Sequence, residues 1–324
     1  MKKSICILAF LFATLWTSCQ KKSDELRTDN SISVIGGRLR FANEKLFRMT
    51  LMDLSDAKRS KITKSLLPEN FESIGKQVEV AGRDTLPFPA CYYPVLNSNM
   101  EYQVADTIFR YDLTKRVKYA IPSSDMSEFE NNEIGRDKYV VAQFSSNVLQ
   151  MPASKSGRSY LTNIEIDARH QKEFYLEQYN GLPAQGRRKY VHELVTYQEI
   201  MLVGNRVVVA YLDLRIKLES KARTGWDPTN EARHISYSLT GETKVLTSSS
   251  PSTWYPQNNQ NNININDVIV SFSDLKIPLQ QFSYAMVGSQ AGHYFSVELN
   301  GFISQQVNGD VPQNAWINSG YPLW

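Results

Sequence analysis

Val207-Val-Val-Ala-Tyr-Leu-Asp-Leu-Arg-Ile-Lys-Leu-Glu219 alternates without a break. Val208, Ala210, Leu212, Leu214, Ile216 and Leu218 fall on one face, and Val209, Tyr211, Asp213, Arg215 and Lys217 on the other. A period of two sustained over this length describes a long antiparallel strand with one buried and one wet face. Its natural partner is 189–197, reached across a loop containing Gly204-Asn205. Further strands are expected at 235–239, 268–272 and 294–303, each flanked by Gly, Pro, Asn or Ser, with no helical pattern between them. Residues 154–324 therefore read as a mostly antiparallel β-sandwich. No repeat of fixed period is present, which excludes a solenoid or propeller.

Upstream the texture is mixed, and 31–153 reads as a small N-terminal α/β region, giving an α+β chain overall. Ile32 and Val34, then Leu39 and Phe41, alternate around Gly36-Gly37 as strand, bend, strand. Asn43 caps an amphipathic helix over 44–55, with Leu46, Phe47, Thr50, Leu51 and Leu54 at helical spacing. A shorter helix is expected over 69–75 after Pro68. Short strands follow around Tyr102, Ile108 and 117–121, then a polar loop over 123–136.

The chain opens with Lys2 and Lys3, an apolar run from Ile5 to Trp16, then Thr17-Ser18-Cys19. Some twelve apolar residues span only about 18 Å as a helix, short of a ~30 Å hydrocarbon core. The pattern is that of a lipoprotein signal over 1–18, cleaved ahead of Cys19, whose thiol carries lipid. Trp16 departs from it, standing where such signals usually have Leu. Residues 19–30 are polar and read as a tether. Asp24 and Glu25 behind the cysteine resemble the surface-export signal of Bacteroidetes lipoproteins. The expected location is the cell envelope, lipid-anchored in the outer membrane on its surface or periplasmic side, with the membrane as partner through Cys19.

The formal charge is +3, two units of which leave with the signal, and no basic block offers a footprint for nucleic acid. Once Cys6 and Cys19 are set aside, Cys91 is alone and no intrachain disulfide can form. It reads as a buried, inert thiol. Metalloprotease, P-loop, dinucleotide and nucleophile-elbow motifs are absent. His170, His192, His234 and His293 are dispersed, so no metal or other cofactor is expected, and no catalytic residue is assigned. Glu193, Glu219, Glu231 and Glu298 are carboxylates whose ordinary role is pairing across strands with Arg215, Lys217 or Arg233.

Two segments are candidates for function. Residues 248–264 read as a long Ser- and Asn-rich loop in which Trp254 and Tyr255 are candidate contacts to a glycan or protein ligand. The aromatic end, 316–324, plugs the core or is donated to a neighbouring subunit by strand addition. The leading expectation is a binding or interaction protein. The alternatives are a pilus component assembling by strand exchange and, behind it, a glycan-acting hydrolase.

Gly37-Arg-Leu-Arg-Phe41 followed by an amphipathic helix, Val95-Leu-Asn97 with 101–108, and 301–310 with Trp316 together resemble a group of uncharacterised Bacteroidetes lipoproteins, a domain of unknown function. The likeness covers most of the mature chain, with Ala105 where a glycine is expected. It implies compartment and architecture, and no catalytic residue.

Overall fold

A computed structural model describes residues 31–55, 60–81, 86–132, 134–149, 168–202, 207–250, 253–285 and 293–324. The signal, Cys19, the tether, the boundary at 153/154 and Gly204-Asn205 lie outside them. Within them the chain is mostly β, with few and short helices.

Strand β1 (Ile32–Ile35) turns into β2 (Arg38–Phe41) through Gly36 and Gly37, both at positive φ. Helix α1 (Glu44–Leu54) follows, and the Asn43 side chain accepts from the Leu46 amide as an N-cap should. Helices α2 (Ser60–Ser65) and α3 (Ile74–Ala81) come next. The expected helix over 69–75 is thus corrected: it starts at Ile74, where the Ser73 hydroxyl accepts from the Lys76 amide. Strands β3 (Glu101–Val104), β4 (Thr107–Asp112), β5 (Val117–Pro122) and β6 (Val140–Val148) then form a meander, in which the expected loop after β5 holds a short helix, α4 (Met126–Asn131). Ala105 takes φ 50 in the β3–β4 turn, a left-handed position that favours glycine.

The second half supplies β7 (Arg169–Tyr179), β8 (Leu182–Met201), β9 (Val207–Ala222), β10 (Gly225–Pro228), β11 (Arg233–Ser250), β12 (Thr253–Val270), β13 (Asp274–Ala285), β14 (His293–Val307) and β15 (Trp316–Gly320). One sheet runs β1-β2-β3-β4-β5-β6-β8-β9-β10, with β7 also on β8 and β13 also on β9; the other runs β12-β11-β14-β15. Of the strand pairs among the described residues, only β2–β3 is parallel. The first sheet passes through both halves of the chain, since β6 pairs with β8 from Ala142 opposite Met201 to Val148 opposite Val195.

The long strand forms as expected, and β8 pairs with it from Arg188 opposite Ser220 to Ile200 opposite Val208. Its apolar face, Leu212, Leu214 and Ile216, packs in one core with Ile235 and Leu239 of β11, Leu299 and Ile303 of β14, and the terminal Leu323 and Trp324. The two sheets therefore share a dry interior. The opposite face of β9 is where expectation fails. Tyr211 and Asp213 are 3% and 2% exposed, and Tyr211 belongs to a second core with Phe47 and Leu51 of α1, Phe88, Tyr92 and Leu96. β8 and β9 are thus a partition between two cores: Tyr211 and Asp213 lie beneath the N-terminal segment, and Arg215, Lys217 and Glu219 pair with neighbouring strands instead of facing open water.

The terminal segment docks onto its own chain: the Leu323 amide donates to Leu299 O at 2.6 Å and Trp324 is fully buried. The expected loop at 248–264 is also corrected. Its backbone is β12, with Trp254 opposite Ser248 and Tyr255 opposite Thr247 in a hairpin with β11.

Candidate functional site

β12 forms one edge of the smaller sheet, and among the described residues β13 is bound on one side only, to β9. A cleft of about 450 Å³ opens between these two edges. Asn258 to Ile263 form one wall, Pro278 to Ser283 the other, and Met52 and Ser55 at the end of α1 close it. Pro278 sits at the start of a register shift between β13 and β9, which inserts Leu279 as an extra residue before Gln280. Such a bulge bends an edge strand and re-aims its side chains.

Amides hold the cleft together. Asn259 Nδ2 donates to Leu279 O at 2.6 Å, joining the two sheets, and the buried Asn261 donates to Thr243 Oγ1 at 3.1 Å. The Ser55 hydroxyl donates to Gln281 Oε1 at 2.9 Å, fixing the side chain that roofs the opening. Asn258, Asn259, Gln260 and Asn262 of this wall are exposed. Among the described residues the lining carries no ionisable side chain. An amide offers both a donor and an acceptor in one plane, so this surface suits a neutral ligand with many hydroxyls. Ile263, Phe282 and Met52 add apolar faces between the polar groups.

Trp254 and Tyr255 lie on β12 a few residues before this wall, and their side chains are outside what the structure describes. The cleft itself was legible only as an unusual Asn/Gln run. Its second wall, 278–283, carried no signal beyond Gln280-Gln281.

The sequence-selected carboxylates are mostly engaged in pairs. Glu193, fully buried, receives Arg215 Nε at 2.6 Å and Lys217 Nζ at 3.5 Å. Glu219 receives Lys189 and Lys217, each at 2.7 Å. Burial alone would raise the Glu219 carboxyl, but the hydrogen bonds from Lys189 and Lys217 outweigh it and hold it below the usual carboxylate range. Glu231 binds the Arg188 guanidinium, and Glu298 stands exposed on β14. Arg233 takes a role not foreseen: it is buried and donates to Phe272 O, Ile216 O, Ser273 O and Gln305 Oε1, and burial lowers it to about 10. Burial pushes the Cys91 thiol well up, as an inert core cysteine requires.

The histidines are spread over the fold. His192 is fully buried, stacked on Trp316 with ring centroids 4.2 Å apart, and contacts Gln305 and Asn318 through its two ring nitrogens. His234 pairs with Asp267 at 3.1 Å on the outer face, and His293 contacts the Tyr284 hydroxyl.

No family model matches this chain, and no curated protein matches it. A solved structure of a DUF4848 family protein from Bacteroides thetaiotaomicron is similar at 12% identity, covering 89% of this chain and 98% of that one, with a TM-score of 0.18. A superposition that loose assigns neither fold nor activity.

Proposed function

We propose that this chain is a lipid-anchored envelope protein that binds neutral glycans in the cleft between β12 and β13. The observation that carries the reading is the cleft's lining, amides and hydroxyls without an ionisable group among the described residues. Sugars present alternating hydroxyls and apolar C–H faces, which this mixture of Asn, Gln, Ser, Phe and Met complements. Trp254 and Tyr255 belong to the same edge strand, and an aromatic residue can stack on the apolar face of a sugar. The anchor is Cys19 with the tether behind it. The reading is preferred to strand-exchange assembly because the terminal residues complete the chain's own core, and to glycan hydrolysis because Glu193 and Glu219 are tied into ion pairs.

Gln260 and Asn262 are exposed, so their replacement by Ala leaves the fold intact. On a glycan array followed by calorimetry, Gln260→Ala, Asn262→Ala and Trp254→Ala each weaken neutral-glycan binding about tenfold, the loss of one or two hydrogen bonds or a stacking contact. Unchanged affinity in all three, or no neutral glycan bound by wild type, overturns the assignment. Mass spectrometry of membrane-extracted protein tests the anchor separately: an unacylated Cys19 removes it.

A further inference from the structure

A second cavity, of about 510 Å³, lies away from the amide cleft, where α2 and α3 approach the start of β13. Its chemistry is opposite. Leu67, Phe71, Val78, Pro94, Phe272 and Leu275 line it, and its volume falls within the ~300–1,000 Å³ of small-molecule sites. Local sequence explains why it stays open. Pro68 ends the run after α2, and the chain crosses to α3, whose first amides are taken by Leu96 O at 2.8 Å and Tyr93 O at 3.1 Å. The two helices are held apart from β13 by this crossing and do not collapse onto it.

Cations border the apolar surface. Lys64 lies in the last turn of α2 and is exposed, with no polar partner among the described residues. Lys76 donates to Phe71 O at 2.8 Å and Glu69 O at 3.3 Å, so among the described residues its ammonium meets carbonyl dipoles and no carboxylate. Lys276 donates to Leu86 O at 3.0 Å and to the Tyr93 hydroxyl, beneath the Tyr93 ring. Of the lining acids, Glu69 is exposed and Asp274 is drawn toward Arg215 at 3.7 Å. The short helix α2 and the residue after it also present Ile62 and Leu66 to solvent, 65% and 71% exposed, beside the lining residues Lys64, Ser65 and Leu67.

We propose that this cavity binds a single-chain amphiphilic anion, its aliphatic tail against Phe71, Phe272 and Leu275 and its headgroup at Lys64 and Lys76. The proposal is independent of the glycan reading. An apolar cavity selects the tail by burial, and a rim with two ammonium groups that pair with no carboxylate among the described residues selects the sign of the head.

Calorimetric titration of the mature chain with dodecanoate tests it, with decanoate and dodecyltrimethylammonium as comparisons. Dodecanoate binds saturably at one site, and decanoate binds about fifteenfold more weakly, roughly fourfold per methylene removed. The cationic amphiphile, whose tail is one methylene longer, still binds at least about tenfold more weakly, and Lys64→Glu, at an exposed position that does not disturb folding, weakens dodecanoate about tenfold. Lys76→Met adds to that loss in variants whose melting is unchanged, whereas Gln260→Ala in the other cleft has no effect. Equal affinity for both headgroups, indifference to Lys64→Glu, or absence of saturable binding overturns the proposal.

Discussion

On one face of β9, Leu212, Leu214, Ile216 and Leu218 meet the second sheet and the strands beside it; on the other, Asp213, Arg215, Lys217 and Glu219 meet neighbouring strands and the N-terminal segments. Both faces are largely shut from solvent, the first by apolar packing and the second by a lattice of charges from β8, β9 and β13. The Asp213 carboxylate accepts the Ala90 amide at 2.7 Å, so the covering segment is attached to the polar face by a directed hydrogen bond. The apolar face tolerates small shifts of its contacts, because dispersion is non-directional. The charged face does not, because each ion is buried at a cost that only its partners offset.

That contrast can be broken by mutation. Glu193→Ala leaves Arg215 and Lys217 without their shared carboxylate and is expected to lower unfolding free energy by about 4 kcal/mol. Leu214→Ala on the opposite face opens a cavity and costs about 3 kcal/mol. Urea denaturation of both variants decides the order, and a Glu193→Ala variant nearly as stable as wild type would show the lattice to be solvated.

A smaller effect comes from His192, whose ring lies on the apolar side of β8 against Trp316. Burial and the neighbouring His170 hold it well below its ordinary value of 6.5, so the folded chain keeps it neutral. The unfolded chain takes up that proton as pH falls below 6.5, and the folded one does not. The stability this residue contributes is therefore full above that value and falls as pH drops beneath it, by at most about 1.4 kcal/mol per pH unit. Thermal melts of wild type and His192→Phe over pH 5 to 8 check this, with the slope reduced in the variant. The smallest effect is at Arg48, which pairs with Glu44 in full view of solvent at 2.8 Å. Arg48→Ala changes stability by less than about 0.5 kcal/mol, against the large loss for the buried pairs.

Local signals were readable wherever a residue's role is set by its near neighbours. Asn43 and the spacing of Phe47, Leu51 and Leu54 specify α1, and alternation specifies β9. The burial of Lys217 and Glu219 was not readable, because a strand's polar face looks the same whether it meets water or ions from other strands. The run from Asn258 to Asn264 misled for a related reason. On an edge strand the outward positions are polar, and at this end of β12 the inward ones are also amides, with Asn259 and Asn261 satisfied across the fold by Leu279 O and Thr243. Without apolar alternation the stretch resembled a loop, although the same amides mark the cleft. The second cavity joins residues 64–94 to 272–276, which no local pattern links.

The partition strands have a kinetic consequence. β9 reaches its register with β13 only when Lys217 meets Asp274, and β2 joins β3 only when Phe41 meets Val104, each closing a loop of some sixty residues before any reward is collected. A chain whose central strands depend on such distant partners belongs with the slow folders, in the range of milliseconds to seconds. During that interval the edges of β8 and β9 are open, and the charged residues along them, unpaired and hydrated, repel the edge-to-edge association that a purely apolar strand would invite. The lattice that holds the native state together is, before folding, a solubility device.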